Sequence, residues 1–162
     1  CNFEGADLCG YTQSQEDKFD WTHQYGPTPS LYTGPPSDHT YTAPDKGRYI
    51  YTEASVPRRE QDRAKLTSPQ CPAAPPGGEL CLEFHYHMYG EDVGRLNVYV
   101  STEQVTRHPT WTMSGNKSDV WNIARVPLTF DRPFYVEFEA VIGGGPKGDI
   151  AIDDVTLRGG SC

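Results

Sequence analysis

The sequence predicts an all-β chain, a sandwich of two antiparallel sheets, and three observations carry that expectation. Apolar and polar side chains alternate with period two in segment after segment, the signature of strands with one buried and one wet face. Sixteen glycines and 14 prolines break these segments apart, as short strands joined by many turns require. No stretch sustains a helical period and no internal repeat appears. At 162 residues the chain fits a single domain over positions 1–162.

Taken in order, a first cysteine loop leads into "KFDWTHQY" (18–25), one short aromatic strand. The proline-rich run that follows cannot supply ladder donors, so residues 26–36 are expected to form an ordered surface loop. "GRYIYTEAS" (47–55) and "AKLTSP" (64–69) read as strands rich in β-branched and aromatic residues or in alternation. After the break "PQCPAAPPGGE" comes "LCLEFHYHMYG" (80–90), which places Leu80, Leu82, Phe84, Tyr86 and Met88 on one face and Cys81, Glu83, His85 and His87 on the other. Gly90 and Gly94 suit the turn into "RLNVYVST". "WNIARVPLTF", "PFYVEFEAVI" and "DIAIDDVTL" (149–157) complete the set. Along the last of these the apolar phase runs through Ile150 and Ile152, then shifts to Val155 and Leu157, so alternation breaks at Asp153 and Asp154. Either the strand bends there with both acids in water, or one acid turns inward to a cation or to hydrogen bonds.

Charge and motifs exclude several function classes. A net charge of −8 and a single basic cluster, "PRREQDRAK", interrupted by acids, argue against a nucleic-acid partner. No apolar run is long enough to span a bilayer, so direct membrane insertion by this module is not expected. Five cysteines without CxxC spacing point to disulfides in an oxidising compartment rather than to zinc or redox motifs. The sequon at Asn116, in "SGNKSD", agrees with a secreted glycoprotein. A chain that starts and ends on cysteine reads as a module excised from a larger extracellular protein. Neither a Gly-X-Ser-X-Gly elbow nor HExxH spacing is present, so no catalytic residue is expected.

The segments "CNFE", "LCGYTQ", "KFDW", "GPPSDHT", "GRYIYTEAS", "AKLTSP", "CLEFHYHMYG", "GRLNVYV" and "GDIAIDDV", with a terminal cysteine, together resemble the MAM domain, the module of meprins, the A5 antigen neuropilin and receptor-type tyrosine phosphatase mu. The resemblance runs from Cys1 to Cys162. It implies a disulfide-braced jelly roll, extracellular and non-catalytic, in a parent protein that is membrane-anchored at the cell surface or secreted. It also implies an adhesion or assembly role, with cell-surface or matrix proteins as partners, a second copy of the chain among them.

The resemblance pairs Cys1 with Cys9 and Cys81 with Cys162. Cys71 is left over, with a bridge to another chain, another partner or a free thiol all open. For metals, His85 and His87 share a strand face but lack a third ligand, and the reading preferred for them is scaffold. Glu4, Asp38, Asp153 and Asp154 are the candidates for a structural cation, calcium or sodium, because such ions take carboxylates from distant loops. Related jelly-roll carbohydrate modules hold calcium between an early "FE" glutamate and a late-strand aspartate. Trp21 and Trp121 are expected in the core. The alternatives to a protein-binding module are a carbohydrate-binding module using Tyr32, Tyr41 or Trp111 as stacking platforms, and a structural spacer.

Overall fold

Ten strands form in the computed structural model, which describes residues 1–102 and 108–162. They are β1 (Thr12–Gln13), β2 (Thr22–Tyr25), β3 (Arg48–Thr52), β4 (Arg63–Thr67), β5 (Leu80–Met88), β6 (Arg95–Ser101), β7 (Trp111–Ser114), β8 (Asn122–Leu128), β9 (Tyr135–Val141) and β10 (Ile150–Gly159). A first sheet has the order β1-β4-β9-β6-β7 and a second the order β2-β3-β10-β5-β8. All pairings are antiparallel. Most consecutive strands lie in opposite sheets, the wrapped path of a jelly roll.

The alternation read in β5 decides which side of it is buried between the sheets. Leu80, Leu82, Phe84, Tyr86 and Met88 join Leu96, Val98 and Val100 of β6 and Val136, Phe138 and Ala140 of β9 in one core. Phe84 sits at its middle, edge-on to Phe138 at 5.1 Å and to Trp111 at 5.2 Å between ring centroids, an arrangement aromatic quadrupoles favour. Trp21 belongs to the same core and donates its indole N–H to the Ala64 carbonyl at 3.1 Å. Edges are blunted in the usual ways: β1 and β7 are short, and Pro127 lies in the edge strand β8, where no partner asks for its missing N–H.

Two parts of the chain differ from the sequence expectation. The proline-rich segment is ordered, but it is a strap lying across the outer face of the second sheet, with Thr28, Thr33, Ser37 and Asp38 buried. Its anchors are polar. Thr33 Oγ1 donates to the Tyr89 carbonyl and accepts from Asp149 N–H, Trp121 Nε1 donates to the Ser37 carbonyl, and Tyr49 donates its hydroxyl to the Gly26 carbonyl. Trp121 accordingly packs with Tyr49, Tyr51 and Ala151 beneath the strap, in a second small cluster, and not between the sheets. A buried backbone has to satisfy its polar groups somewhere; the Tyr49 hydroxyl of β3, the Trp121 indole N–H and the strap's own Thr28 hydroxyl serve its carbonyls here, which proline content alone does not reveal.

The phase break in β10 is a β-bulge. Asp153 pairs with His85 but Thr156 with Glu83, one residue too many on β10, and Asp154 takes a left-handed φ of 48°. The extra residue restores Val155 to the core side. Disulfides join Cys1 to Cys9 and Cys81 to Cys162, and Cys71 is a free, half-buried thiol.

Candidate cation centre

The bulge sends its two acids in different directions. Asp153 turns under the strap and is wholly buried; its carboxylate accepts the backbone N–H of His39 at 2.8 Å and of Asp154 at 2.8 Å. Asp154 turns the other way, to Thr40 Oγ1 at 2.8 Å and His39 Nδ1 at 2.6 Å. Both readings of the phase break therefore hold in part: the strand bends, and one of the acids goes inward.

Asp38 arrives from the strap. It too is wholly buried, one oxygen accepting Tyr41 N–H at 2.9 Å and the other, Oδ1, lacking a hydrogen-bond partner among the described residues. Gly47 makes room for it: with φ at +72°, a Cβ there would fall 2.1 Å from Asp38 Oδ2. Burial pushes the Asp153 carboxyl up to about 7, with the charges of Asp154 and Asp38 adding to the effect and the two N–H donors opposing it. Glu4 stands beside this corner, accepting Arg48 N–H at 3.0 Å next to Gly47. Of the four predicted carboxylates, Asp38 and Asp153 are thus both wholly buried where the strap meets the bulge, Glu4 is bonded to Arg48 beside Gly47, and Asp154 is engaged elsewhere.

An inward carboxylate with an orphaned oxygen, a second one beside it and a glycine-lined cradle fit a hard, oxygen-seeking cation.

The histidines divide as well. His87 is buried under the strap, with Nε2 at 2.9 Å from Asp119 Oδ1; burial holds its pKa down against that carboxylate. His85 does not converge with it. Instead its ring stacks on that of His39, 3.4 Å between centroids and 14° between planes. Burial, and then the neighbouring His39, hold the His85 pKa below its ordinary value. His39 was not singled out from sequence, although its place beside Asp38 in "SDHT" is the signal that carried it to the same corner.

Asn116 is exposed, its side-chain oxygen accepting Ser118 N–H at 3.0 Å. Of the three candidate stacking aromatics, Tyr32 and Tyr41 are exposed, while Trp111 has its ring set against Phe84 and Tyr86. Cys71 forms an isolated bridge with Phe134, and its sulfur lies 3.6 Å from Ser68 Oγ.

Comparison with known proteins places this geometry. A family model described as MAM domain, meprin/A5/mu, matches residues 1–162. The chain is 45% identical over its whole length to MAM domain-containing glycosylphosphatidylinositol anchor protein 1 of Rattus norvegicus, and 40% identical to protein 2 of the same name from Mus musculus. It spans 17% and 18% of those proteins. Among solved structures it is similar to the K3 cleaved adhesin domain of Lys-gingipain from Porphyromonas gingivalis W83, with TM-score 0.63, 16% identity and coverage of 96% of this chain and 94% of that one. It is also similar to TmCBM61 in complex with β-1,4-galactotriose, with TM-score 0.61, 15% identity and coverage of 97% and 94%. At such identities these two likenesses speak to the fold alone.

Proposed function

The chain belongs to the MAM domain family, meprin/A5/mu, and is an extracellular domain of the adhesion type; from that membership we propose that it is a non-catalytic module that makes protein–protein contacts in adhesion or receptor assembly at the cell surface. The observation that carries the reading is the identity to glycosylphosphatidylinositol anchor proteins along the whole chain. An exposed apolar surface supports it. Leu31 and Tyr32, 77% and 69% exposed, stand at the tip of the strap, and the tip is held in place because Ser30 Oγ donates to Glu53 Oε1 at 3.1 Å and lies 3.0 Å from Ser55 Oγ. Exposed apolar side chains on a fixed loop suit an interface core. A single such patch binds weakly and gains from many copies on facing membranes.

The test is cell aggregation or receptor binding by the parent protein carrying Leu31→Ser with Tyr32→Ser. Loss of contact with unchanged surface expression supports the reading, and undiminished contact removes this face from it. Sedimentation of the isolated domain separates a second copy of the chain from a different partner. A glycan array addresses the carbohydrate reading, for which Tyr32, with Lys147 Nζ over its ring at 5.6 Å, and Tyr41 are the exposed candidate rings; silence on the array eliminates it. A spacer would leave both assays unchanged while its deletion altered the parent's shape.

The same reading includes a structural cation, calcium or sodium, held by Asp38 and Asp153 with Glu4 beside them. Its part is to tie the strap to β10, and so to fix the surface the strap presents. Calcium is expected to raise the melting temperature of chelator-treated protein, and Asp153→Asn to abolish most of that rise. A glycan on Asn116 is proposed on the sequon and its exposure, and the intact mass of secreted protein before and after glycosidase reads it directly.

A further inference from the structure

We propose that His39, His85 and Asp154 form a zinc site that clips the strap to the second sheet, separate from the carboxylate pocket of Asp38 and Asp153.

Three segments far apart in sequence meet at this point: His39 from the strap, His85 from the middle of β5, and Asp154 from the bulge of β10. One ligand atom from each residue lies within 4.8 Å of the other two. Two imidazoles and a carboxylate are a donor set that zinc takes readily, with a fourth position left to water. Calcium and sodium, which seek oxygen, have less use for it.

Several details point to a ligand and not to a chance meeting of side chains. His85 Nδ1 is buried without a hydrogen-bond partner among the described residues, an unsatisfied polar atom that a folded protein seldom tolerates for nothing. Its ring lies flat against that of His39, 3.4 Å between centroids, so imidazoles from two remote segments are held side by side. Asp154 adopts its left-handed φ of 48°, a conformation that disfavours a side-chain-bearing residue, and this is what swings its carboxylate toward the histidines instead of into the pocket with Asp153. The neighbours are also fixed: Thr40 Oγ1 holds the second Asp154 oxygen at 2.8 Å, and His39 N–H is tied to Asp153 at 2.8 Å. A metal ligand restrained from behind in this way is oriented before the ion arrives.

Zinc–nitrogen and zinc–oxygen bonds of about 2.0–2.2 Å set tetrahedral donors roughly 3.4 Å apart, so His39 Nδ1 and Asp154 Oδ2, now 2.6 Å apart, must separate to admit the ion while His85 turns in toward them. The required motion is a side-chain rotation that tilts the stacked rings apart at their far edges. Because the clip closes over the strap, zinc should hold the loop against β5 and β10 without touching the exposed tip at Leu31 and Tyr32.

The experiment uses the secreted domain, stripped with chelator and titrated calorimetrically with zinc chloride in the presence of excess calcium. One zinc per chain is expected, and calcium should not displace it. His85→Gln should weaken binding by more than the roughly 10–100-fold that loss of an outer partner costs, while His108→Gln, at a distant exposed histidine, should leave it unchanged. Cobalt added to the unaltered chain provides a readout that does not depend on a variant folding: intense visible absorption of a tetrahedral nitrogen–oxygen site supports the proposal, and the pale spectrum of an octahedral aquo ion overturns it. Zinc binding that survives His85→Gln at full strength, or none at millimolar zinc, overturns it as well. A loss of calcium stabilisation in Asp153→Asn that leaves zinc binding intact separates this site from the structural cation.

Discussion

Asp149, together with Asp153, shows how buried acids can set the pH response of the fold. It is wholly buried at the start of β10, accepting Ala54 N–H at 2.9 Å through one oxygen, with the other unpartnered among the described residues. Burial, and then the charge of Glu53, raise its carboxyl to about 7, against roughly 3.9 for an unfolded aspartate. Between those values the folded chain holds a proton that the unfolded chain releases, so stability from this group is greatest at the acid end and is lost as pH rises through 7. In chelating buffer the melting temperature should therefore fall from pH 5.5 to 7.5. Asp149→Asn, which keeps the acceptor for Ala54, should make that fall smaller; an unchanged slope would show that Asp149 is ionised throughout. Nothing in "GGPKGDIAI" announces this residue, because its environment is made by the strap and by Glu53, both remote in sequence.

The strap is the element on which the site depends, and Gly47, just before β3, is a position at which its Asp38 tolerates no side chain. Gly47→Ala would place a methyl against Asp38 and require an unfavourable φ, so it should cost more than about 1 kcal/mol in urea denaturation and reduce the stabilisation that calcium gives. The strands were legible beforehand wherever alternation ran for five residues or more, as in β5, β6 and β9. β1, with two residues, and β7, with four, are too short for a period to register. The break at Asp153 and Asp154 was also legible, since a bulge must disturb the phase of the chain that carries it. What it brought together was not: His39 and His85 are 46 positions apart, and only the path of the strap puts one ring on the other. The pairing of His85 with His87 on one face was real in the backbone, yet their side chains lean toward different partners, Asp119 for one and His39 for the other.

For the molecule as a whole, the Cys81–Cys162 bridge closes the larger of the two loops, with a sequence separation of 81 against eight for Cys1–Cys9. Replacing both Cys81 and Cys162 by serine should cost about 2–5 kcal/mol, with the chain-entropy value for such a loop near 4.5 kcal/mol, read as a lower urea midpoint. The bridge has a mechanical consequence too. Tension applied between Cys1 and Cys162 cannot lengthen the chain from β6 to β10, because the covalent path runs from Cys162 through the bridge to Cys81 in β5 and bypasses the chain between. Only the path from Cys9 to Cys81 can be drawn out, a rupture length of about 250 Å in a pulling experiment, whereas the unbridged chain would give roughly 560 Å. The half of the domain carrying His85 and both bulge aspartates is thus a knot of fixed contour, while the strap lies in the half that yields, so force would strip the clasp from its seat before it could lengthen the seat itself.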